Sequence, residues 1–381
     1  MTAPLEGLLV LDMAQFLSGP SAALRLRDLG ARVIKIERPG SGDICRTLYL
    51  TDTDIGGDST LFHAINRDKQ SFAADLKNPA DLAAVHALMA RADVVIQNFR
   101  PGIADRLGIG WDAARAINPR LIHATISGYG EDGPWVGLPG QDLLAQAVSG
   151  VMWLNGSEGH GPVPIGLSVG EMLAGHVLVE GILAALVRRG MSGEGAQVET
   201  SLLEALVDFQ FEVLTTHLSD EGRLPVRSSF NNAHAYLAAP YGVYASADGY
   251  LAVAMTPLDK LGRLLGLPAL AGADRDAAFA DRDRLKRMIA DRIVQADTEH
   301  WLCVLRAEDV WCAPVMDWPQ LLASEAFRRL HMLGTVARGP ASVTTTASPV
   351  RINGARARPQ HAAPRVGADT AALRQEFGLP G

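Results

Sequence analysis

A single carboxylate stands at the start of a long apolar segment near the middle of the chain. Glu171 lies in the run 169–175, after a proline-punctuated stretch that predicts extended backbone. The apolar segment 176–187 has the composition of a buried helix. A carboxylate at such a helix start is partly removed from water and lies near the positive helix end, and these effects shift its pKa in opposite directions. The sequence leaves two interpretations: a reactive group, or the commoner acid that only stabilises the helix dipole.

Basic side chains recur beside the predicted strand ends in the first third of the chain. They could converge on phosphate groups, where charge-assisted hydrogen bonds give both strength and geometry. Exposed cations more commonly just solvate a surface, and spacing alone favours that simpler interpretation. The residues are Arg38, Arg46, Arg67, Lys69, Lys77, Arg100 and Arg106.

Strands that alternate with helices indicate an α/β domain with an open parallel sheet. Ligands of such sheets bind at the carboxyl ends of the strands, here residues 15–18, 38, 98–100 and 127–129. The first βαβ unit lacks a G-x-G-x-x-G turn, which disfavours a nicotinamide dinucleotide. The predicted strands are 8–12, 32–37, 71–76, 94–99 and 121–127, and the predicted helices 21–29 and 78–90.

The second half of the chain has a different pattern. Residues 202–218 predict one long amphipathic helix, and 219–232 has the composition of a linker. A turn at 248–249 between two apolar runs, 241–244 and 250–254, predicts a hairpin. Helical stretches follow, and together they predict a second, smaller α/β portion.

Length and charge restrict the class of protein. A chain of 381 residues is long enough for two domains. The net charge of -7 argues against a general nucleic-acid binder, whose affinity comes from neutralising phosphates. It leaves room for one anionic ligand in a local basic pocket.

Cysteine usage and hydropathy predict a cytoplasmic protein. The three cysteines are far apart and have no metal-ligand spacing, which fits a reducing compartment. The N-terminus has no positively charged leader. Two polar residues interrupt the most apolar run, 172–187, so we expect no transmembrane segment.

Several short segments, taken in order, resemble the class III CoA-transferases, the family of carnitine CoA-transferase, formyl-CoA transferase and α-methylacyl-CoA racemase. Each segment alone is weak evidence, but their order and spacing together are specific and cover almost the whole chain. The segments are 7–19, 29–43, 66–69, 75–77, 98–102, 106–108, 127–130, 141–150, 193–197 and 363–367.

The resemblance implies a two-domain α/β fold with a Rossmann-like large domain, and an interlocked homodimer. In this family the large domain combines N-terminal and C-terminal segments, and the small domain comes from the middle. We therefore expect residues 1–190 in the large domain, 191–225 as a linker, 226–325 as the small α/β domain, and 326–381 returning to the large domain.

The resemblance also implies a binding site for coenzyme A, which enters as a thioester substrate, with no tightly bound cofactor and no metal. Arg38 and Arg106 are expected to face phosphates, and Lys77 to line the nucleotide site. Residues 98–99 are expected to border the adenine and pantetheine path, and 17–18 the pantetheine near the reaction centre. The full predicted set is Gln15, Leu17, Ser18, Arg38, Ala74, Leu76, Lys77, Asn98, Phe99, Arg100 and Arg106.

The family's transferases carry a nucleophilic aspartate at the position of Glu171. By resemblance, Glu171 attacks the acyl-CoA carbonyl, and an enzyme–CoA thioester then passes CoA to a free acid, which keeps the thioester energy. The longer side chain must be re-aimed by about an ångström, which can cost roughly a hundredfold in rate. Backbone N–H groups near Gly170 and Gly175 could stabilise the oxyanion.

Two alternatives remain. Family racemases carry a His-Asp pair where this chain has Gln141 and Asp142, and a glutamine cannot transfer a proton at neutral pH. This argues against an α-methylacyl-CoA racemase or epimerase without removing it. A degenerate member that only binds CoA is the third possibility. We interpret His123 and His176 as structural, and expect as partners an acyl-CoA, a small carboxylic acid and a second copy of the chain, with no nucleic acid and no membrane. The sequence does not identify the donor or the acid.

Overall fold

The computed structural model describes residues 3–270 and 272–380, which form two compact units. The large unit takes the described residues up to Ala145, together with Ser168–Phe209 and the segment from Ala326 onward. The small unit takes Gln146–Leu167 and Gln210–Glu325. These ranges differ from the predicted domain boundaries, which stay a prediction.

Strands and helices alternate through the first two hundred residues. The strands are β1 (Leu9–Asp12), β2 (Arg32–Glu37), β3 (Asp54–Ile55), β4 (Asp58–Ser59), β5 (Gln70–Ala73), β6 (Val94–Gln97), β7 (Ile122–Ser127), β8 (Ala196–Ser201), β9 (Gly242–Ala245), β10 (Tyr250–Val253), β11 (Cys312–Pro314), β12 (Leu333–Arg338) and β13 (Ala341–Thr346). The helices are α1 (Ser18–Asp28), α2 (Thr60–Asn66), α3 (Pro79–Met89), α4 (Ile103–Arg106), α5 (Trp111–Ile117), α6 (Asp142–Ser149), α7 (Val169–Ser192), α8 (Leu202–Phe209), α9 (Phe211–Ser219), α10 (Leu258–Leu265), α11 (Arg275–Ala280), α12 (Arg282–Ile293), α13 (Thr298–Arg306), α14 (Trp318–Ala323), α15 (Glu325–Leu330) and α16 (Thr370–Phe377).

The large unit is built on a six-stranded parallel sheet in the order β5-β2-β1-β6-β7-β8. With the short β3–β4 pair set aside, this is the Rossmann strand order 3-2-1-4-5-6. The order reverses between β1 and β6, so a crevice opens there at the carboxyl ends of the strands. The predicted α/β fold with an open parallel sheet is confirmed.

Apolar strand sequences account for the core of this sheet. All four residues of β1 and of β6 are buried, as expected for central parallel strands covered on both faces. Helix α1 begins three residues before the predicted start. It includes Gly19 and Pro20, and a proline in the first helical turn is tolerated because its missing N–H has no intrahelical partner.

One predicted helix is wrong. Residues 202–218 form two helices, α8 and α9, because Gln210 has a ψ of 9° and leaves the helical path. The amphipathic pattern continues through this residue, so the sequence does not reveal the break. The Gln210 side chain donates a hydrogen bond to the Ser149 carbonyl at 3.2 Å.

The small unit contains a three-stranded antiparallel sheet, β11-β10-β9. The predicted hairpin is confirmed, since β9 pairs with β10 across the turn. The core of this unit includes Tyr244, Leu251, Leu285 and Trp301, which are all buried.

Helix α7 is long and apolar enough to cross a membrane by those two measures alone, against the expectation that no segment is. One such helix is weak evidence, because a core helix of a globular protein passes the same test. In the large unit α7 contacts α1, β7 and β8, and Ala174, Leu178 and Ile182 are buried. The expected cytoplasmic location stays a prediction.

Candidate active site

Glu171 lies in the first turn of α7, where a carboxylate from another segment caps the helix. The Asp142 Oδ1 atom accepts hydrogen bonds from the backbone N–H of Gly170 at 2.7 Å and of Glu171 at 3.2 Å. Two N–H groups that a helix start leaves without partners are thereby satisfied. The expectation that Gly170 and Gly175 offer N–H groups to an oxyanion is wrong. Asp142 occupies the Gly170 N–H, and Gly175 lies beyond the first turn, where the helix uses its own N–H groups.

The Glu171 carboxylate reaches the start of a second helix. The backbone N–H of Ser18, the first residue of α1, donates a hydrogen bond to Glu171 Oε2 at 3.0 Å. The carboxylate therefore lies at the N-terminal ends of both α1 and α7, where helix dipoles favour negative charge.

The protein environment of Glu171 nevertheless stabilises the protonated, neutral carboxyl group more than water does. Burial raises the pKa of Glu171 above its ordinary value, and the negative charge of Asp142 adds to the rise. Hydrogen bonds from Ser18 lower the pKa without cancelling the increase. Once ionised, such a carboxylate is more basic than an exposed glutamate and loses less hydration when it attacks a substrate.

Close packing of α1 against α7 fixes the distance between Ser18 and Glu171. A Cβ added at Gly175 would lie 2.5 Å from Ser21 Oγ and 2.8 Å from the Ser18 carbonyl oxygen. Only glycine at this position lets the two helices approach so closely. The Ser18 N–H and the Glu171 carboxylate therefore depend on one helix contact.

The segment between β1 and α1, residues 13–17, leads to the Ser18 N–H that contacts Glu171 and is named the 13–17 loop here. It ends at Leu17, a predicted site residue, and is followed by Ser18, another one. Asn98, which follows β6, accepts from the Gln15 N–H at 2.8 Å and donates to the Gln15 carbonyl at 2.7 Å. Asn98 thus joins the loops that follow β1 and β6, at the point where the strand order reverses.

A small cavity of about 100 Å³ opens at the carboxyl ends of β1, β2, β5 and β6. Its position is the one at which open α/β sheets bind ligands. Six of the predicted CoA-contacting residues line it together: Gln15, Arg38, Ala74, Leu76, Lys77 and Phe99.

A larger cavity of about 620 Å³ shares two of these residues, Gln15 and Arg38. Its wall includes Arg365, an exposed arginine from the C-terminal segment that the sequence did not single out as a site residue. Arg38 therefore borders both cavities.

Two of the four predicted cations do not line the small cavity. Arg100 is exposed in the turn after β6, and Arg106 is exposed at the end of α4, next to the lining residue Leu107. Among the residues that the structure describes, neither side chain forms a hydrogen bond or ion pair.

From the sequence, the basic residues near the strand ends could either bind phosphate or solvate the surface. Three of them do neither. Each is buried and neutralised by carboxylates, so it cannot solvate a surface and has no charge to spare for a phosphate. Arg46 pairs with Glu37 and Asp58, Arg67 with Asp28 and Asp68, and Lys69 with Asp12. Burial lowers the pKa of Lys69 to about 8, although Asp12 acts in the opposite direction.

The histidines beside the site have structural contacts. His176 Nδ1 lies 2.6 Å from the Met172 carbonyl oxygen on the same helix, and the ring is exposed. His123 is buried within β7, and its Nε2 lies 3.1 Å from the Ile109 carbonyl oxygen. Within residues 3–270 and 272–380, no group of three His, Cys, Asp or Glu side chains could hold a metal ion.

The sequence model of CoA-transferase family III matches residues 5–370. An acetyl-CoA:oxalate CoA-transferase from Acetobacter aceti is 34% identical over 99% of this chain and 96% of its own length. A succinyl-CoA:mesaconate CoA-transferase from Haloarcula hispanica is 33% identical over 98% of this chain and 96% of its own length. The crystal structure of a CAIB/BAIF family protein from Brucella suis superposes with a TM-score of 0.86 at 31% identity, covering 99% of this chain and 100% of that one. The chain belongs to CoA-transferase family III.

Proposed function

We propose that this protein is an acyl-CoA:carboxylate CoA-transferase that works through a covalent glutamyl-CoA thioester on Glu171. The observation that carries the proposal is the position of Glu171: a partly buried carboxylate at the start of two helices, 3.0 Å from the Ser18 N–H. The fold places it in the same unit as the cavity that Arg38 and Lys77 line.

The reaction has two steps with the donor, and the acceptor then reverses them. The Glu171 carboxylate attacks the thioester carbonyl and the C–S bond breaks, so CoA leaves as a thiolate and the acyl group stays on Glu171 as a mixed anhydride. The thiolate then attacks the glutamyl carbonyl, which releases the donor acid as a carboxylate and leaves CoA on Glu171. An acceptor carboxylate reverses both steps, so no water is consumed and the thioester energy is retained.

The N-terminal ends of α1 and α7, which both lie at Glu171, can stabilise the negative charge that moves during this cycle. Negative charge moves from the carboxylate to the substrate oxygen and back, beside backbone N–H groups that are already fixed in place. When Glu171 is acylated, the Ser18 N–H loses its anionic partner and becomes available to the glutamyl carbonyl oxygen of the anhydride. Partial burial limits attack of water on the anhydride.

CoA is expected to bind along the strand ends. Arg38 and Lys77 are exposed cations beside the small cavity, and their charge suits the phosphates of the nucleotide. Arg100 and Arg106 extend the basic surface. A short dicarboxylic acid is the first acceptor to test, because two relatives transfer CoA to oxalate or mesaconate. The interlocked homodimer of the family is also part of the proposal, and sedimentation equilibrium would test it.

The decisive experiment traps the activated carboxylate. The protein is incubated with acetyl-CoA or succinyl-CoA and hydroxylamine, and peptides are analysed by mass spectrometry. We expect a hydroxamate on Glu171 in the wild type and none in Glu171→Gln, which also loses exchange between an acyl-CoA and labelled oxalate or mesaconate. Exchange at the wild-type rate in Glu171→Gln would refute the proposal. Deuterium uptake at the α-carbon without an adduct would instead support a racemase, and CoA binding without either reaction a binding protein.

A further inference from the structure

The backbone of the 13–17 loop is held by side chains from outside the loop. Surface loops usually satisfy their backbone with water or with their own turns. Here every N–H and C=O of the three central residues has a side-chain partner. Ala14 donates to Asp12 Oδ1 (3.1 Å) and accepts from Lys35 Nζ (2.9 Å), Gln15 bonds twice to Asn98, and Phe16 donates to Asp43 Oδ1 (3.4 Å) and accepts from Cys45 Sγ (3.2 Å).

The conformation of Phe16 needs this restraint. Its φ is 62°, in the left-handed region that a bulky residue rarely adopts. Such a backbone conformation is strained and persists only where surrounding contacts hold it. Two residues later the chain presents the Ser18 N–H to Glu171, so the strained turn sets the direction of that donor.

Three of the partners form a buried group that we name the loop clamp: Lys35, Asp43 and Cys45. The side chain of Lys35 has no exposed surface, and its Nζ lies 2.8 Å from Asp43 Oδ2. Asp43 Oδ1 also accepts from the Cys45 N–H at 2.9 Å, which ties the clamp together. Lys35 Nζ thus contacts both the Ala14 carbonyl oxygen and Asp43, whereas Asp43 reaches the loop through Oδ1 and Lys35 through Oδ2.

Both hydrogen-bond donors of the clamp keep their protons. Burial alone would lower the pKa of Lys35, but the carboxylates of Asp12 and Asp43 hold it above its ordinary value. Burial raises the pKa of Cys45 to about 12, so the thiol keeps its proton and can donate to the Phe16 carbonyl.

Stability alone does not account for this ion pair. Burying two charges removes their hydration, and their mutual attraction offsets this cost only when the geometry is good. Apolar residues of similar shape often make a core just as stable. The pair instead directs one donor and one acceptor at two loop residues on either side of Gln15, namely Ala14 and Phe16.

We propose that Lys35, Asp43 and Cys45 are positioning residues for the transfer reaction. They fix the 13–17 loop so that the Ser18 N–H meets the Glu171 carboxylate and, after acylation, its carbonyl oxygen. This inference rests on the proposed function of Glu171. None of the three touches the substrate; each acts through the backbone of the loop.

The first test removes both charges together. Lys35→Met/Asp43→Asn keeps approximate shape and the Oδ1 acceptor, and leaves Asp12 paired with Lys69. We expect the rate of hydroxamate formation on Glu171 to fall about tenfold or more, since a misplacement of about an ångström costs up to about a hundredfold. The Kd for CoA should change by a smaller factor than this rate, because the exposed cations Lys77 and Arg38 are untouched.

A milder pair of variants guards against a folding defect. Cys45→Ala removes only the donor to the Phe16 carbonyl, and Cys45→Ser restores an O–H donor. We expect Cys45→Ala to slow hydroxamate formation about threefold and Cys45→Ser to recover most of the loss, an order that lost packing alone does not produce.

The outcomes separate the two proposals. A wild-type rate of adduct formation in both the double variant and Cys45→Ala would overturn the positioning role while leaving the transferase proposal intact. Absence of any adduct in the wild type would overturn both. An equal loss in Cys45→Ala and Cys45→Ser would also contradict the clamp, because the donor would then be irrelevant.

Discussion

The two ends of the candidate site treat charge in opposite ways. At the reaction end, Glu171 and the 13–17 loop are surrounded by buried partners at hydrogen-bond distance. At the nucleotide end, four cations are exposed, and none forms an ion pair or side-chain hydrogen bond with any residue in the described ranges. They are Arg38, Lys77, Arg100 and Arg106.

The difference matches two physical tasks. Covalent transfer depends on the position of a carboxylate to a fraction of an ångström, so its surroundings are fixed in advance. Binding of a flexible polyanion depends on the sum of several attractions, and each cation can adapt its side chain. Changes at the reaction end should therefore lower kcat, and changes at the nucleotide end should weaken CoA binding.

The largest effect is expected from the helix contact at the reaction end. Gly175→Ala places a Cβ 2.5 Å from Ser21 Oγ and 2.8 Å from the Ser18 carbonyl oxygen, so α1 must move away from α7. We expect a loss of about 1–3 kcal/mol in unfolding free energy from overpacking. The displaced Ser18 N–H should reduce kcat by roughly ten- to a hundredfold.

Gly190→Ala is the matched control for this change. It lies in the same helix, and a Cβ there meets nothing within 4 Å. Alanine should stabilise the helix by up to about 1 kcal/mol and leave kcat unchanged. Urea unfolding and steady-state exchange assays measure both quantities. If Gly175→Ala kept the kcat of the wild type, the reaction end would not depend on this helix contact.

The nucleotide end should respond in Kd and not in kcat. Lys77→Ala removes one exposed cation beside the small cavity. We expect CoA to bind about tenfold more weakly, which corresponds to about 1.4 kcal/mol. The kcat at saturating acyl-CoA should stay within about twofold of the wild type, since the Lys77 side chain makes none of the hydrogen bonds that hold the 13–17 loop.

Calorimetric titration with CoA at two salt concentrations tests this prediction. The difference between Lys77→Ala and the wild type should shrink at high salt, because exposed charges are screened. Arg115→Ala, which removes an exposed cation from α5, should leave the Kd unchanged. If Lys77→Ala lowered kcat and left the Kd for CoA unchanged, the two ends of the site would not have the separate roles described here.

The nucleotide end could be predicted from the sequence far better than the reaction end. Runs of Val, Ile and Leu mark the parallel strands, and the residues that follow them must lie at one edge of the sheet. Arg38 was placed at this edge in this way, and the resemblance to the family then assigned Arg38 and Lys77 to the nucleotide. The resemblance to the family placed Glu171 at the reaction centre, which local pattern alone could not distinguish from a helix-stabilising acid.

The partners of the reaction end escaped prediction because they come from distant segments. Asp142 caps a helix that begins 27 residues later, and nothing near α7 indicates it. Lysines are usually exposed, so Lys35 within a strand gave no sign that it holds the Ala14 carbonyl. Likewise, the amphipathic pattern that continues past Gln210 could not reveal the helix break.

The smallest expected effect concerns the stability of the folded protein, which depends on the protonation of the buried Glu171 side chain. Burial raises the pKa of Glu171, so the folded protein holds this proton more tightly than the unfolded chain. The stabilising contribution of the neutral carboxyl is complete below the ordinary glutamate pKa and is lost as the pH rises through the raised value. At neutral and higher pH, the ionised carboxylate therefore makes the fold less stable than a neutral side chain of the same shape would.

Glu171→Gln should thus abolish transfer and yet increase thermal stability. We expect its Tm to exceed that of the wild type by a few degrees at pH 8, and the difference to shrink as the pH falls through the raised pKa. Thermal unfolding between pH 4 and pH 8 measures it, with Glu180→Gln, an exposed position on the same helix, as the control. A lower Tm in Glu171→Gln at pH 8 would mean that the N-terminal ends of α1 and α7 stabilise the carboxylate by more than its burial destabilises it. The reaction end would then contribute to stability as well as to catalysis.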